Sequence, residues 1–377
     1  MYYFSQLFFG KKGVIWPSHF QWDGKLLGMR WLMIIMLVVA WGCGKSPDTE
    51  LPPKVTFDAP KAARAELRVL EEPGLWKQDN TVVVLNTQTN LEQTNRFTAT
   101  TQVSWALKGN LLLLETEINS ERKGYELVVK NFAGIVATNQ YRCTWFHNDG
   151  LVRGYAGQWR PKQARMDWFP LYLPGAPKGF DIQMAESLTG PREKQFSYQI
   201  TEKGEVTSSG LFNARHVGDY ARSEGSLTPA SKELERLGRV GIWKETQTVS
   251  EAGATTKSLE MLSRMRWARG GKFLINEGVV DPEGNPEYFM WVKTWDSVSG
   301  VYRWAYFFHN GTINHFTGYW DSAKQLITWH CELPGLVIAL RERLHGPEKR
   351  SWTFEMQNTT GIIATGSGGS QFQGKAE

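Results

Sequence analysis

Cysteine is nearly absent from this chain, with three residues in 377. One of them, Cys43, closes an apolar run near the N-terminus, which leaves Cys143 and Cys331, one in each half. Two cysteines make no disulfide framework, so the fold must be held by buried surface, and both are expected as buried free thiols. Clusters of one charge are missing as well. The formal net charge is +5, yet Lys11, Lys12, Lys25 and Arg30 against Asp23 supply +3 of it within residues 1 to 42. With no basic stripe to neutralise phosphates, nucleic acid is not an expected partner. No apolar run reaches the ~20 residues of a membrane-spanning helix. The sequence also holds no Gly-x-Ser-x-Gly elbow, P-loop, dinucleotide fingerprint or His-Glu-x-x-His zinc motif, so no standard catalytic class is signposted.

Aromatic surface is in excess, with 17 Trp, 12 Tyr and 19 Phe. Rings of this number dominate burial, and the length suits two domains with a core each. Near the start, the run WLMIIMLVVAWG over residues 31 to 42 follows Arg30 and has the length of a secretory signal core. Gly42-Cys43 followed by GKSPDTELPPK resembles a bacterial lipoprotein signal, in which the cysteine is lipidated. That reading makes residues 1–43 a signal segment and 44–61 a tether. It predicts export to the periplasm or outer membrane with a lipid anchor at Cys43 as the membrane contact. Ordinary secretion and a retained hydrophobic anchor are the alternatives, and Met29 is a second candidate start.

The strongest internal signal is a repeat. Glu66, Leu67, Leu70, Gly74, Trp76 and Lys77 return as Glu233, Leu234, Leu237, Gly241, Trp243 and Lys244. From Tyr141 to Trp168 the match to Tyr302 to Trp329 runs without a gap, and it includes Phe146/Phe307, Gly150/Gly311, Gly157/Gly318 and Trp159/Trp320. Trp105 answers Trp267, and LTGPREKQFSYQI answers LHGPEKRSWTFEM. A tandem duplication follows, with units at 62–215 and 229–377 joined by a linker at 216–228.

Within each unit the period is two. QFSYQI and SWTFEM alternate ring or aliphatic with polar residues, and TVVVL, NLLLLETEI and GKFLI add further strands. A short helix precedes the strands; in the second unit Thr228 is the expected cap with Pro229 at the first helical position. Asn310-Gly311 and Asp149-Gly150 suit two-residue type I′ hairpin turns. That register places Trp304, Tyr306, Phe308, Ile313 and His315 on one face. Many short antiparallel strands joined by tight turns predict an all-β chain of two tandem up-and-down barrels, with a sandwich as the alternative.

The residues YR…FFHNG, GYWDSAKQLITW and LHGPEKRSWTF, with GIWKE before them, resemble bacterial lipocalin-like (calycin) domains of unknown function. The second unit carries the pattern in Gly318, Trp320, Asp321, Lys324, Leu326, Thr328 and Trp329. The first keeps Gly157, Trp159 and Trp168 but has Arg160 in place of the aspartate. The resemblance implies a barrel that binds a small ligand, and it implies no agreed activity.

His147 and His309 both stand in FHN triplets, but the matched turns align His147 with Phe308, so the two imidazoles are expected on opposite faces. His330 and Cys331 are adjacent in a strand and project oppositely, so no metal site is expected. The expected binding residues are Trp145, His147, Trp304, Tyr306 and His315, which would line aromatic cavities for a small apolar ligand. No catalytic residue and no cofactor are assigned. Haem on His147 or His315, a hydrolase or isomerase using a lumenal histidine or carboxylate, and a protein-binding scaffold with filled barrels are the competing readings.

Overall fold

The computed structural model describes residues 67, 70–86, 89, 91–121, 123–133, 140–172, 174, 179–219, 228–251, 256–282, 286–309 and 311–375. The signal segment with Cys43, the tether and most of the linker lie outside these residues. The rest forms two closed antiparallel barrels of ten strands each, every strand pairing its sequence neighbours and the last closing on the first. The first barrel comprises β1 (Gly74–Asn86), β2 (Leu91–Ala106), β3 (Leu111–Asn119), β4 (Gly124–Ala133), β5 (Gln140–Phe146), β6 (Val152–Arg160), β7 (Arg165–Tyr172), β8 (Phe180–Gly190), β9 (Glu193–Glu202) and β10 (Glu205–Gly218). The second comprises β11 (Gly241–Glu251), β12 (Lys257–Trp267), β13 (Phe273–Val280), β14 (Glu287–Asp296), β15 (Val301–Phe308), β16 (Ile313–Asp321), β17 (Leu326–Leu333), β18 (Leu336–Leu344), β19 (Lys349–Asn358) and β20 (Gly361–Gly374).

The alternation read in the sequence becomes an inside and an outside. In β9, Phe196, Tyr198 and Ile200 point inward, and in β19 Trp352, Phe354 and Met356 do the same. Each lumen is plugged at one end by residues just before the first strand. Leu67 and Leu70 are buried under the first barrel, Leu234 and Leu237 under the second, and Trp76 and Trp243 lie at 1% exposure beside them. Both indoles donate Nε1 to a carbonyl four residues back, Trp76 to Glu72 at 2.8 Å and Trp243 to Arg239 at 2.9 Å. The second helix spans Lys232–Glu235 with Ser231 as its cap, accepting from the Leu234 amide at 3.4 Å. Thr228 and Pro229 therefore precede the helix instead of opening it. Ala230 donates its amide to the Gly271 carbonyl at 2.8 Å, which holds the entering chain against the barrel and delays the helix.

Strands β3, β4 and β5 are buried on both faces. Their outward residues Leu111, Leu113, Leu127, Val129 and Phe146 form one apolar cluster with Phe273, Ile275, Met290, Val292, Ala305 and Phe307 of β13, β14 and β15. The barrels are thus joined along a seam between equivalent strands. Arg266 donates to Glu115 at 2.7 Å across it, Asn131 Nδ2 to the Gly311 carbonyl at 3.0 Å, and the Ser297 amide to the Asp149 carbonyl at 2.9 Å.

The hairpin between β15 and β16 differs from expectation. Phe308 N donates to Thr312 O at 3.0 Å and Gly311 N to Phe308 O at 3.0 Å, with Gly311 at φ +87°. Asn310 itself lies outside the described residues. The loop has three residues, as does its counterpart, where His147 N donates to Leu151 O and Gly150 N to His147 O. One residue more than a type I′ turn shifts the register by one, and a one-residue shift moves every side chain of the return strand to the other face. Trp304 pairs with Phe316 and Tyr306 with Asn314, while His315 pairs with Ala305 on the outside.

Candidate ligand sites in the two lumens

Register equates positions in the two barrels, because Trp145 faces Arg153 where Tyr306 faces Asn314, and Glu186 faces Phe196 where Glu342 faces Trp352. Near the plugged end each lumen buries ionised groups. In the first barrel Lys130 and Lys194 each bond both Glu71 and Glu186. Burial alone would raise both carboxyls; the two ammoniums nevertheless hold Glu186 below the usual range, and burial with the adjacent Glu186 holds Glu71 above it. In the second barrel Lys293 and Arg350 bond Glu342, at 2.7 and 3.1 Å, with Trp329 Nε1 also donating to it at 2.9 Å. These partners outweigh burial and hold the Glu342 carboxyl down at about 2. Lys293 sits 4.8 to 4.9 Å from the ring centres of Trp291, Trp304 and Trp329, a cation enclosed by indole faces.

The fourth charge differs in origin. Gly238 stands where the first barrel has Glu71, and a Cβ there would meet the Arg350 guanidinium at 2.8 Å. The second barrel supplies Glu245 instead, at the position of Gln78. Glu245 accepts from Ser263 at 2.8 Å, and burial, opposed by Arg350, raises its carboxyl above the ordinary value.

Away from the plug the lumens diverge further. In the first barrel Trp145 stacks on His147, ring centres 5.3 Å apart and 9° from parallel, and Phe196 meets Trp145 edge-on at 5.6 Å. Beneath them Glu126 accepts from Trp145 Nε1 at 3.0 Å and places its other oxygen 3.5 Å from His147 Nδ1. Glu126 and Arg153 are both 6% exposed. Burial pushes the phenols of Tyr155 and Tyr198 up to about 12. Glu126 Oε1 and His147 Nε2 are buried without a hydrogen-bond partner in the protein.

In the second barrel these positions read Phe289 for Glu126, Phe308 for His147, Tyr306 for Trp145, Asn314 for Arg153 and Phe354 for Tyr198. Tyr306 lies between Phe289 at 5.5 Å and Phe308 at 4.5 Å. Trp304 stacks on Phe316 at 4.4 Å and meets Trp329 at 5.2 Å, which makes it part of the packed wall. Its Nε1 and the Oδ1 of Asn314 are buried without a protein partner. Gly366 and Gly368 of β20 leave the space into which Phe354 and Trp352 fold.

Four of the five expected binding residues, Trp145, His147, Trp304 and Tyr306, therefore face a lumen, two in each barrel. His315 does not. It stacks on Tyr172 of the first barrel, ring centres 4.7 Å apart, at the seam, and burial alone drives its pKa down to about 4. It is no axial ligand for a lumenal haem. His309 is an exposed residue of the turn after β15, 3.5 Å from Glu287. Cys143 and Cys331 are free and buried, and burial pushes both thiols up to about 12. The sequence reading missed Glu126, Lys130 and Arg153. In YELVVKN the same period that buries Leu127 and Val129 on one face puts Glu126 and Lys130 together on the other.

No family model matches the chain, and no curated protein matches it. Among solved structures, a protein of unknown function of the DUF3598 family from Nostoc punctiforme is similar at 8% identity, over 82% of this chain and 100% of that one, with a TM-score of 0.26. An S-type phycobiliprotein lyase from Guillardia theta is similar at 12% identity over 38% of this chain and 93% of its own, TM-score 0.26. A transferrin binding protein B from Haemophilus parasuis shares 9% identity over 80% of this chain and 76% of its own, TM-score 0.20. At those scores the function has to be read from this chain's own residues.

Proposed function

We propose that the chain is an exported, lipid-anchored module of two duplicated lipocalin-like barrels that binds small ring-bearing ligands in its lumens. One observation carries the reading. Each lumen presents buried polar atoms that no protein group satisfies, Glu126 Oε1 and His147 Nε2 in the first and Trp304 Nε1 and Asn314 Oδ1 in the second. Buried polar atoms in folded proteins are almost always paired, so a lumenal occupant is the natural partner. The half-buried rings of Trp145, Phe196 and Tyr198 above the first set, and of Tyr306, Trp352 and Phe354 above the second, suit a flat apolar body. The chemistry of the two differs: the first takes a ligand with a polar or charged group, the second a neutral one.

Native mass spectrometry of the full chain purified from its own host tests this. A small molecule retained on the folded chain, with occupancy reduced in Trp145→Ala, is the expected result. A bare chain that also fails to take up 1-anilinonaphthalene-8-sulfonate would show the barrels to be filled scaffolds.

A further inference from the structure

We infer that the first lumen is a general acid–base site in which His147 moves a proton on the bound ring compound. The inference rests on the first lumen being open to a ligand, and it goes beyond binding. Glu126 Oε1 lies 3.5 Å from His147 Nδ1 without a hydrogen bond between them, and a carboxyl group on that side of the ring favours the tautomer with its proton on Nδ1. Nε2 then carries the lone pair, and Nε2 has no partner in the protein. Two contacts fix the imidazole in this pose. Trp145 Nε1 anchors the second oxygen of Glu126 at 3.0 Å, and the Trp145 ring lies parallel against the imidazole. A carboxyl group, an imidazole stacked on an indole and a buried ring nitrogen without a protein partner are the parts of a base poised for use.

The second barrel shows that the fold does not need them. It replaces base, orienting carboxylate and supporting indole by Phe308, Phe289 and Tyr306 and still closes the same ten-stranded barrel. The reaction class is a proton shift on a flat carbonyl compound. Nε2 takes the proton as a carbon–hydrogen bond breaks, the electron pair moves into the adjacent carbonyl as an enolate, and the same proton is returned to a different carbon, in a lumen to which β6 contributes the Arg153 cation opposite Trp145. Atoms and charge balance with no co-reactant. His147 is the catalytic base and Glu126 a positioning residue.

The probe is 5-nitrobenzisoxazole, a flat ring whose C–H proton is removed by a base while its N–O bond breaks. The C–H electron pair becomes part of the nitrile, the charge ends on a phenolate, and the proton on Nε2 passes to water. The full chain should turn the probe over, His147→Phe should lose about 100-fold of the rate, and exposed His309→Gln should leave it unchanged. Glu126→Gln keeps an acceptor for Trp145 and should lower kcat about tenfold with KM unaltered, a split that a purely structural role would not give. Unfolding of each variant in urea identifies any rate lost to misfolding, and if His147→Phe fails to fold, Glu126→Gln decides. Turnover no faster than His147→Phe overturns the proposal. If the probe still quenches tryptophan fluorescence on binding, the binding reading stands; if it does not, both fall.

Discussion

The two barrels share a skeleton and differ in where they keep charge. The first closes its buried ion box with a carboxylate from the plug, Glu71, and carries further ionisable groups, Glu126, Arg153 and His147, up the lumen. The second draws its fourth charge from the wall, Glu245, and lines the upper lumen with Phe289, Phe308 and Phe354. Both interiors hold two buried cations against one shared carboxylate, Glu186 or Glu342, whereas the second buried carboxylate comes from a different place in each. A buried charge costs several kcal/mol unless paired, so loss of Glu71 at one site goes with a carboxylate at another.

That exchange can be broken and remade. Glu71→Gly, which copies the second barrel at one position, leaves Lys130 and Lys194 sharing Glu186 alone and is expected to destabilise the chain by about 3–5 kcal/mol in urea denaturation. Adding Gln78→Glu completes the copy and should recover part of the loss. Failure of the double variant to improve on the single one would mean that the two boxes are not interchangeable.

The seam offers a second comparison. His315 packs against Gly154, the residue at its own equivalent position, whose Cβ would come 3.4 Å from His315 Nε2. The imidazole is half-buried and stacked on Tyr172, with its Nδ1 buried and unpartnered. Its folded pKa, about 4, lies below the ordinary 6.5, so the unfolded chain binds the extra proton first as pH falls. Stability is full above about pH 6.5 and is lost progressively toward pH 4, by about 3 kcal/mol in all. Denaturation at pH 7 and pH 4.5 checks this, and His315→Phe should flatten that part of the pH profile. A smaller effect is expected at the turns. Gly150 has φ +88° and its Cβ would run into the backbone of Trp295 and Asp296 in the other barrel. Gly150→Ala should cost about 2 kcal/mol through strain and overpacking, read as a lowered melting temperature with both barrels still folded.

Much of the fold was legible because strand periodicity and turn residues are local properties. The alternation in residues 195–200 and 351–356 fixed which rings face inward, and the aligned Trp76/Trp243 and Trp168/Trp329 all proved fully buried. The site was legible only in part. The lumenal facing of Trp145, His147, Trp304 and Tyr306 could be read from one strand each, but His315 was assigned through the hairpin, where a single extra loop residue inverted its facing. Glu126 and Arg153 were hidden because a strand buried on both faces gives no pattern that tells the lumen from the seam.

By itself the sequence determined that the described chain is built from twin sets of short antiparallel strands carrying rings at matched places, since residue order and period are enough to decide that. Only the tertiary structure decided that ten strands close each barrel, that β3 to β5 and β13 to β15 press their outer faces together, and that Glu126 meets His147. Those outcomes depend on contacts between residues 19 to 180 positions apart, which exist only after the sheets have curled and docked.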